Sequence, residues 1–404
     1  MSRVRTRLGA PRARLRASRA RAGFTLVEMM IALTIGAMVI ATVYTIGSSA
    51  ARHFQEQQRI SQVQLSVRLA LDRIRRDIAR AGFQATMNSA LDATCGPPPG
   101  TQIRGLLLQD RASAAAFAGM VDAAAVQGDR VLITGNFRTG DSYVVREWSG
   151  NQMRLGTNFL GYRRSFAAQP MVDDSIDTAL VAQTFSPGTA LMARLGGGMR
   201  VWTAVSTVTA TSVGGTAGSA TITTTSALPS CPGAVGLEGW AQGGVTVAPI
   251  TQVRYEIVNA TTLPALGLAP RNANVTGANT VLTRTELNPT TGAIIDGPLP
   301  ILEYAVHFDV DVFSDVSIAT NPSRVQIFDD AAAATETQLR PGNIRGARIS
   351  LAARTSEQDS HLTQAVPALG DGTPRVFRVF GDRDGAARVR SAYTEVFIPN
   401  SSSR

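Results

Sequence analysis

The sequence predicts an α+β protein in which one long N-terminal helix packs on a β-rich, antiparallel globular head. Three observations lead to this fold class. Residues 29–51 are almost entirely apolar and carry no charged side chain. Apolar residues then recur at helical spacing from Ile60 to Ile78. Beyond Phe83, short runs that alternate apolar and polar residues are separated by Gly, Pro, Asn and Asp, which is typical of strands and turns.

The first element is a basic leader, residues 1–23, in which eight arginines occur without one acidic residue. The uncharged segment behind it, about residues 29–51, is long enough to span a bilayer. An excess of arginine on one side of such a segment keeps that side in the cytoplasm. We therefore expect a single-pass protein of the inner membrane, with its N terminus in the cytoplasm and its head in the periplasm.

The position of the cleavage signal distinguishes two export routes. A secretory signal peptide is cut after its apolar segment, which is then discarded. Here the small residue that suits cleavage, Gly23 before Phe24, precedes the apolar segment. Cleavage between Gly23 and Phe24 would therefore leave the apolar helix on the mature protein.

Glu28 is the acidic residue of this segment, and its position predicts an assembly role. An acidic side chain in hydrocarbon costs about 2.5 to 3.5 kcal/mol, and such a residue usually marks a function. Cleavage before Phe24 would create an amine four residues from Glu28. The amine and the carboxylate of neighbouring subunits can then neutralise one another and set the subunit register. The alternative is a carboxylate that lies at the level of the lipid headgroups.

The string Gly-Phe-Thr-Leu-Val-Glu, residues 23–28, resembles the type IV prepilin family, and within it the large PilW-type minor pilins. The resemblance implies that a prepilin peptidase cuts between Gly23 and Phe24 and methylates the Phe24 amine. It also implies that Glu28 pairs with the amino terminus of a neighbouring subunit. Gly36 resembles a glycine often found midway along PilW-type helices, whereas the helix-breaking proline of many major pilins is missing. The segments GDRVLITG, ILEYAVHFDVDV, RGARISLAART and YTEVFIPN resemble strands of PilW-type heads.

On this resemblance we expect a pilin-like, structural protein that is not an enzyme and needs no cofactor. It would be a minor pilin that takes part in initiating and assembling the type IV pilus and can stay at the tip, in adhesion, twitching motility or DNA uptake. Expected partners are the prepilin peptidase, the inner membrane, a tip adhesin, and other minor pilins and the major pilin through the N-terminal helix. A minor pseudopilin of a type II secretion system remains an alternative, and a membrane-anchored periplasmic enzyme or binding module is a third.

The helix is predicted to continue beyond the membrane, over residues 24–82. Its outer part, about residues 52–82, is amphipathic, because the apolar positions Ile60, Val63, Val67, Leu71, Ile74 and Ile78 are three or four residues apart. Gly82 is a helix stop signal. The head then comprises residues 83–404. Its candidate strands are 130–134, 143–148, 253–258, 281–286, 301–312, 347–353 and 393–398.

One part of the head departs from this pattern. The region of about residues 165–244 fits least well, and residues 203–230 are rich in Thr, Ser, Gly and Ala. The composition predicts an exposed β-hairpin insertion or a mobile loop. The insertion is either a partner-specific surface or a neutral one.

Candidate sites in the head are few. Cys95 and Cys231 are the two cysteines, and a disulfide between them is expected in an oxidising periplasm, the alternative being two unpaired thiols. We expect no catalytic group and no metal site. Two sets of carboxylates could gather around calcium, Asp309, Asp311 and Asp315 in one and Asp382 and Asp384 in the other, but neither matches a twelve-residue calcium loop. On a sheet, Asp309 and Asp311 are more simply the solvent face. The three histidines, His53, His307 and His361, are far apart in the sequence.

The charge balance argues against nucleic acid as a direct ligand. The formal net charge is +9, but eight of the 39 basic residues lie in the leader. The mature chain would have 31 basic against 30 acidic residues. The basic excess is therefore a targeting signal and not a binding surface.

Overall fold

A computed structural model describes residues 24–95, 101–109, 117, 120–167, 176–195, 198–213, 216–227, 239–240, 244–260, 263, 279–316, 324–360, 362, 373–381 and 384–399. The chain forms two compact units, which divide after Gln58. The first contains the apolar start of the long helix. The second, Arg59–Arg404, contains the end of that helix and all of the strands.

The helices are α1 Leu26–Ala79, α2 Leu160–Phe166, α3 Thr178–Thr184 and α4 Asp330–Leu339. The long helix predicted over residues 24–82 is thus observed as α1. The predicted stop signal Gly82 adopts a left-handed conformation (φ +69°), and its backbone N–H donates to the Thr134 carbonyl. A side chain there would meet Met87, because an added Cβ would lie 2.6 Å from the Met87 sulfur.

The strands, in chain order, are β1 Leu106–Gln109, β2 Gln127–Gly128, β3 Arg130–Gly135, β4 Tyr143–Ser149, β5 Gln152–Leu155, β6 Ala190–Arg194, β7 Arg200–Val213, β8 Thr216–Thr224, β9 Gly239–Trp240, β10 Thr246–Asn259, β11 Thr280–Leu287, β12 Ile294–Glu303, β13 Ala305–Asp315, β14 Val325–Phe328, β15 Ile344–Arg354, β16 Val376–Phe377 and β17 Ala387–Phe397. Within the described residues they form one sheet of eleven strands and one of six.

The larger sheet is organised around β10, which takes part in two structures. Its first half, from Thr246 to Ile250, pairs with β6 on one side and β4 on the other. The order β10-β6-β7-β8-β5-β4 then returns to β10, so these six strands form a closed ring, which we call the barrel. The second half, Thr251–Asn259, pairs with β3 and β11 and belongs to an open sheet with β1 and β12.

The barrel is an insertion between β3 and β10, two paired strands of the open sheet. Gly135, the last residue of β3, pairs directly with Thr251 of β10. All six barrel strands are supplied by the residues between these two positions. The inserted part of the head therefore spans residues 136–250, wider bounds than the predicted insertion of about 165–244.

The smaller sheet has the order β14-β13-β15-β17-β16, with the two-residue β2 added to β13. Its long strands are antiparallel, as predicted, whereas β2 pairs in parallel with β13. α1, the open sheet and this smaller sheet share one hydrophobic core. It includes Val67, Leu71, Ile74 and Ile78 of the predicted helical stripe, which packs into the head as expected.

The barrel has a second core of its own. Val145, Met153, Val205 and Ile222 fill it from the strands. Tyr162 and Phe166 of α2 cover one end, with ring centroids 4.9 Å apart. The predicted hairpin of the Thr-rich region exists as β7 and β8, but it is a wall of this core and not a surface appendage, because Val205, Ala220 and Ile222 are fully buried.

Two strand predictions need correction. The predicted strand 301–312 is two strands, β12 and β13, divided at Tyr304, whose φ of +59° breaks the extended backbone. The alternation of apolar and polar residues over 304–312 predicts that His307 faces solvent with Asp309, but the His307 side chain is buried. A register shift lies between Ala305 and His307 at the start of β13.

Candidate functional site

The start of α1 is closed by reciprocal hydrogen bonds between Thr25 and Glu28. The Glu28 backbone N–H donates to Thr25 Oγ1 at 3.2 Å. Glu28 Oε2 in turn accepts from the Thr25 backbone N–H and from Thr25 Oγ1, both at 3.1 Å. This is a capping box, in which two helix-end donors are satisfied by side chains.

Glu28 therefore has a local task besides the assembly role predicted from the sequence. Thr25 was not among the predicted site residues, although a Thr followed three residues later by Glu in front of an apolar run is a readable helix start. Glu28 is exposed, and its acidic charge lies in the first turn, where the helix dipole favours it. Phe24, which would become the first residue after cleavage, is 85% exposed.

The apolar first part of α1 has nearly all of its side chains exposed. Met29, Leu33, Ile40 and Ile46 are each more than half exposed, and the most apolar window of the helix contains no buried residue. By length and composition α1 can cross a membrane. Gly36 has no neighbouring atom within 4 Å of an added Cβ. Such a surface needs a lipid environment or other apolar helices around it.

The end of α1 is fixed to the head by a buried charge network that sequence reasoning missed. Tyr255 Oη and Arg284 Nε both donate to Asp77 Oδ2, at 2.7 and 2.8 Å. Arg284 Nη1 also donates to Glu286 Oε1 at 2.8 Å. Tyr255 on β10 and Arg284 on β11 are directly paired across the sheet, so both face the helix.

Burial and charge shape this network together. Burial disfavours the charged form of Arg284 and by itself would lower its pKa. The nearby carboxylates of Asp77 and Glu286 outweigh this effect, so the pKa of Arg284 is raised. Burial, reinforced by the charge of Asp77, also raises the pKa of Tyr255, so the phenol stays protonated and remains a donor. The network therefore holds the outer end of the helix in one position on the head.

Other predicted site residues are dispersed. Gly23, Cys231, His361 and Asp382 lie outside the described residues. Cys95 is buried in the barrel core and is not a free thiol; because Cys231 is not described, the bridge between them stays a prediction.

The predicted acidic groups do not converge. Asp315 pairs with Arg345 at 3.1 Å, and Asp384 and His53 are exposed. Asp309 and Asp311 lie side by side along β13. Within the described ranges, no three His, Cys, Asp or Glu side chains are close enough together to hold a metal ion.

Comparison with known proteins agrees with the N-terminal site. The family model for the prokaryotic N-terminal methylation motif matches residues 18–44, which include Gly23, Phe24 and Glu28. A type IV-like pilin from Thermus thermophilus is 13% identical and matches 56% of this chain and 93% of its own, with a TM-score of 0.18. That score is too low to support an argument about the head. No curated protein matches the sequence.

The matched motif lies at the capped start of a long exposed apolar helix, and in this segment the chain is similar to type IV prepilins.

Proposed function

We propose that this chain is a minor pilin that helps to initiate and assemble a type IV pilus. Prepilin peptidase would cut between Gly23 and Phe24 and methylate the Phe24 amine. The head would face the periplasm, and α1 would anchor the subunit in the inner membrane until it joins the filament. Other minor pilins and the major pilin would then surround the apolar part of α1. No reaction is required of the head for this role.

The observation that carries the proposal is the exposed Glu28 in the first turn of an exposed apolar helix. Methylation leaves the Phe24 amine positively charged, and that charge needs a partner in an apolar environment. A helix bundle that brings Glu28 of one subunit to the amine of the next would neutralise both charges. Any register between neighbouring subunits that left one of these charges unpaired would be disfavoured.

The double role of Glu28 allows a sharp test. Glu28→Gln removes the negative charge but keeps an acceptor for the capping box, which accommodates Gln as well as Glu. Thr25→Ala removes the cap and keeps the charge, at an expected cost of about 1 kcal/mol in helix stability. We expect Glu28→Gln and Glu28→Ala both to abolish filament assembly, and Thr25→Ala to retain most of it. Sheared surface filaments and the amount of membrane-bound protein are the measurements.

Two outcomes contradict the proposal. Normal assembly by Glu28→Gln would mean that Glu28 acts only as a cap. Intact pili with blocked protein secretion, after deletion of the gene, would instead assign the chain to a type II secretion pseudopilus. The secreted-protein profile is therefore measured in the same cultures as the pili.

A further inference from the structure

Among the described residues, the last long strand of the head, β17, is paired along only part of one side, and we call the remainder of that side the open edge. β17 pairs with β15 along nine consecutive residue pairs without a register shift. On its other side, β16 pairs only with Ala387 and Arg388, and Val389 donates to the Arg375 carbonyl. Within the described part of the chain, no strand pairs with the remainder of this side, residues 391–397.

The hydrogen-bond pattern shows which backbone groups this edge presents. The Ile398 N–H donates to Arg345, and Thr355 donates to the Arg388 carbonyl, so even-numbered residues of β17 face β15. The odd-numbered residues face the other way, because successive residues of a strand alternate. Ser391, Tyr393, Glu395 and Phe397 therefore direct their N–H and C=O groups to the open edge. This edge is about 20 Å long at roughly 3.3 Å per residue.

Among the described strands, two other sheet edges are protected in ways that residues 391–397 of β17 are not. The edge strand β12 contains Pro298 and Pro300 and has three register shifts against β11. β14, at the far edge of the smaller sheet, has only four residues. Prolines, bulges and short strands are the usual means of blocking an edge. Residues 391–397 have none of these, and they expose two large side chains, Tyr393 and Phe397.

A charged trough runs beside the open edge. It has a volume of about 800 Å³ and is lined on one side by Arg68, Asp72 and Arg75 of α1. Residues 391–394 of β17 line the other side. Asp72 already accepts from Arg76 at 2.6 Å, which leaves Arg68 and Arg75 as a net positive wall. An extended segment in this trough would be favoured if it carried carboxylates.

We propose that β17 accepts an extended, acidic segment of a neighbouring subunit as an added strand. The backbone of residues 391–397 would supply the hydrogen bonds, as in other cases of strand addition. Arg68 and Arg75 would select the acidic side chains, and Tyr393 and Phe397 would cover the outer face of the new strand. The inference rests on the proposed function in one respect, because the partner is taken to be another subunit of the same assembly.

Photo-crosslinking in filament-producing cells tests this contact. Phe397 is replaced by p-benzoylphenylalanine in the full chain, and Leu299 on the proline-bearing edge β12 is the matched control position. We expect the adduct at position 397 to map to an acidic, extended stretch of another prepilin-type protein, at about ten times the yield found at position 299. No adduct at 397, equal yields at both positions, or an adduct with a second copy of this chain would overturn the proposal.

Proline variants test whether the backbone makes the contact. Tyr393→Pro removes an N–H that points to the open edge and leaves the ladder with β15 intact, whereas Tyr393→Ser removes only the ring. We expect the proline variant to lower the adduct yield at position 397 about tenfold and the serine variant to leave it within about twofold. Ser391→Pro is a second variant of the same kind. An unchanged yield in a folded proline variant would contradict strand addition.

Failure of this proposal is distinguishable from failure of the proposed function. Lost assembly by Glu28→Gln together with no adduct at position 397 would overturn strand addition alone. An adduct at position 397 to a protein without a prepilin motif would show that the partner is not a neighbouring subunit. Normal pili in the Glu28→Gln cells would count against the assembly role whatever the adduct.

Discussion

Asp77 is a single carboxylate on which the attachment of α1 to the head depends. Arg284 is only 4% exposed, and Asp77 is the acceptor that links it to the helix. Removing one partner of a buried ion pair leaves the other charge without compensation, which is far more costly than the pair is worth. The exposed pair of Asp72 and Arg76 on the same helix is a natural comparison.

We expect Asp77→Ala to lower the free energy of unfolding by about 3 kcal/mol, because the buried guanidinium of Arg284 keeps Glu286 but loses the carboxylate that links it to the helix. Arg76→Ala, which removes the exposed pair, should change it by less than about 1 kcal/mol. Denaturant unfolding of the full chain in detergent measures both. An equal effect of the two substitutions would show that the Asp77 network does not hold the helix on the head.

The raised pKa of Asp311 predicts that the stability of the folded protein depends on pH. Burial, and then the negative charge of Asp309, raises its pKa from 3.8 to about 6, despite the opposing charge of Arg348. The folded protein therefore holds this proton more tightly than the unfolded chain. The stability that this gives is fully present below about pH 4 and is lost as the pH rises to about 6.

We expect Asp311→Asn to be more stable than the wild type above pH 6 and to lose this advantage towards pH 4. The side chain is partly exposed, so the difference should be small. The measurement is the difference in unfolding free energy between variant and wild type at several pH values. Asp309→Asn, which removes the repulsion but keeps Asp311, should shift the transition to lower pH. A difference that does not vary with pH would contradict the assignment to Asp311.

Sequence reasoning at the residue scale singled out Glu28 but not Asp77. Glu28 stands out because it is an acidic residue at the start of an apolar run. Asp77 lies on the buried face of a helical stripe, where a charged residue looks like an interruption. Its partner Arg284 is 207 residues away in the sequence, and only the folded sheet brings the two together.

At the scale of elements, periodicity predicted the features that depend on residues close together in the sequence. The stripe from Ile60 to Ile78 gave the buried face of α1, and alternation gave most of the long strands. The break at Tyr304 was not predicted, since a positive φ at a tyrosine has no compositional signal. The Thr-rich strands β7 and β8 were read as a surface feature because their core residues are few and small. A register shift after Val205 changes which face they bury.

Among the described residues the head has two large hydrophobic cores, one shared with the end of α1 and one inside the barrel, whereas the sequence predicted one β-rich head. Closure of the barrel depends on the pairing of Thr246 and Val247 with β4, a contact between residues about a hundred positions apart. Cys95 lies in the barrel core although it precedes β1 in the sequence. A disulfide to Cys231 would therefore tie the chain before the open sheet to the inserted region.

We expect the double variant Cys95→Ser, Cys231→Ser to be less stable than the wild type by up to about 4 to 5 kcal/mol, from the entropy of the closed loop. Non-reducing peptide mapping by mass spectrometry tests the bond directly, and urea unfolding with and without reductant tests its effect. Two free thiols in the purified protein would contradict the prediction. A reductant effect that persists in the double variant would point to another cause.

The pairing of Gly135 with Thr251 has a consequence for how such a head can change in size. The chain leaves the open sheet at Gly135 and re-enters it at Thr251, and these two residues are paired. The insertion of residues 136–250 therefore resembles a long loop that connects the two strands of a hairpin. Loop length adds little to the entropy of closing a hairpin once the loop is long. A single gene deletion joining the two positions by a tight turn would preserve the strand order of the sheet. The barrel can thus change in size without a change in the strand order of the open sheet.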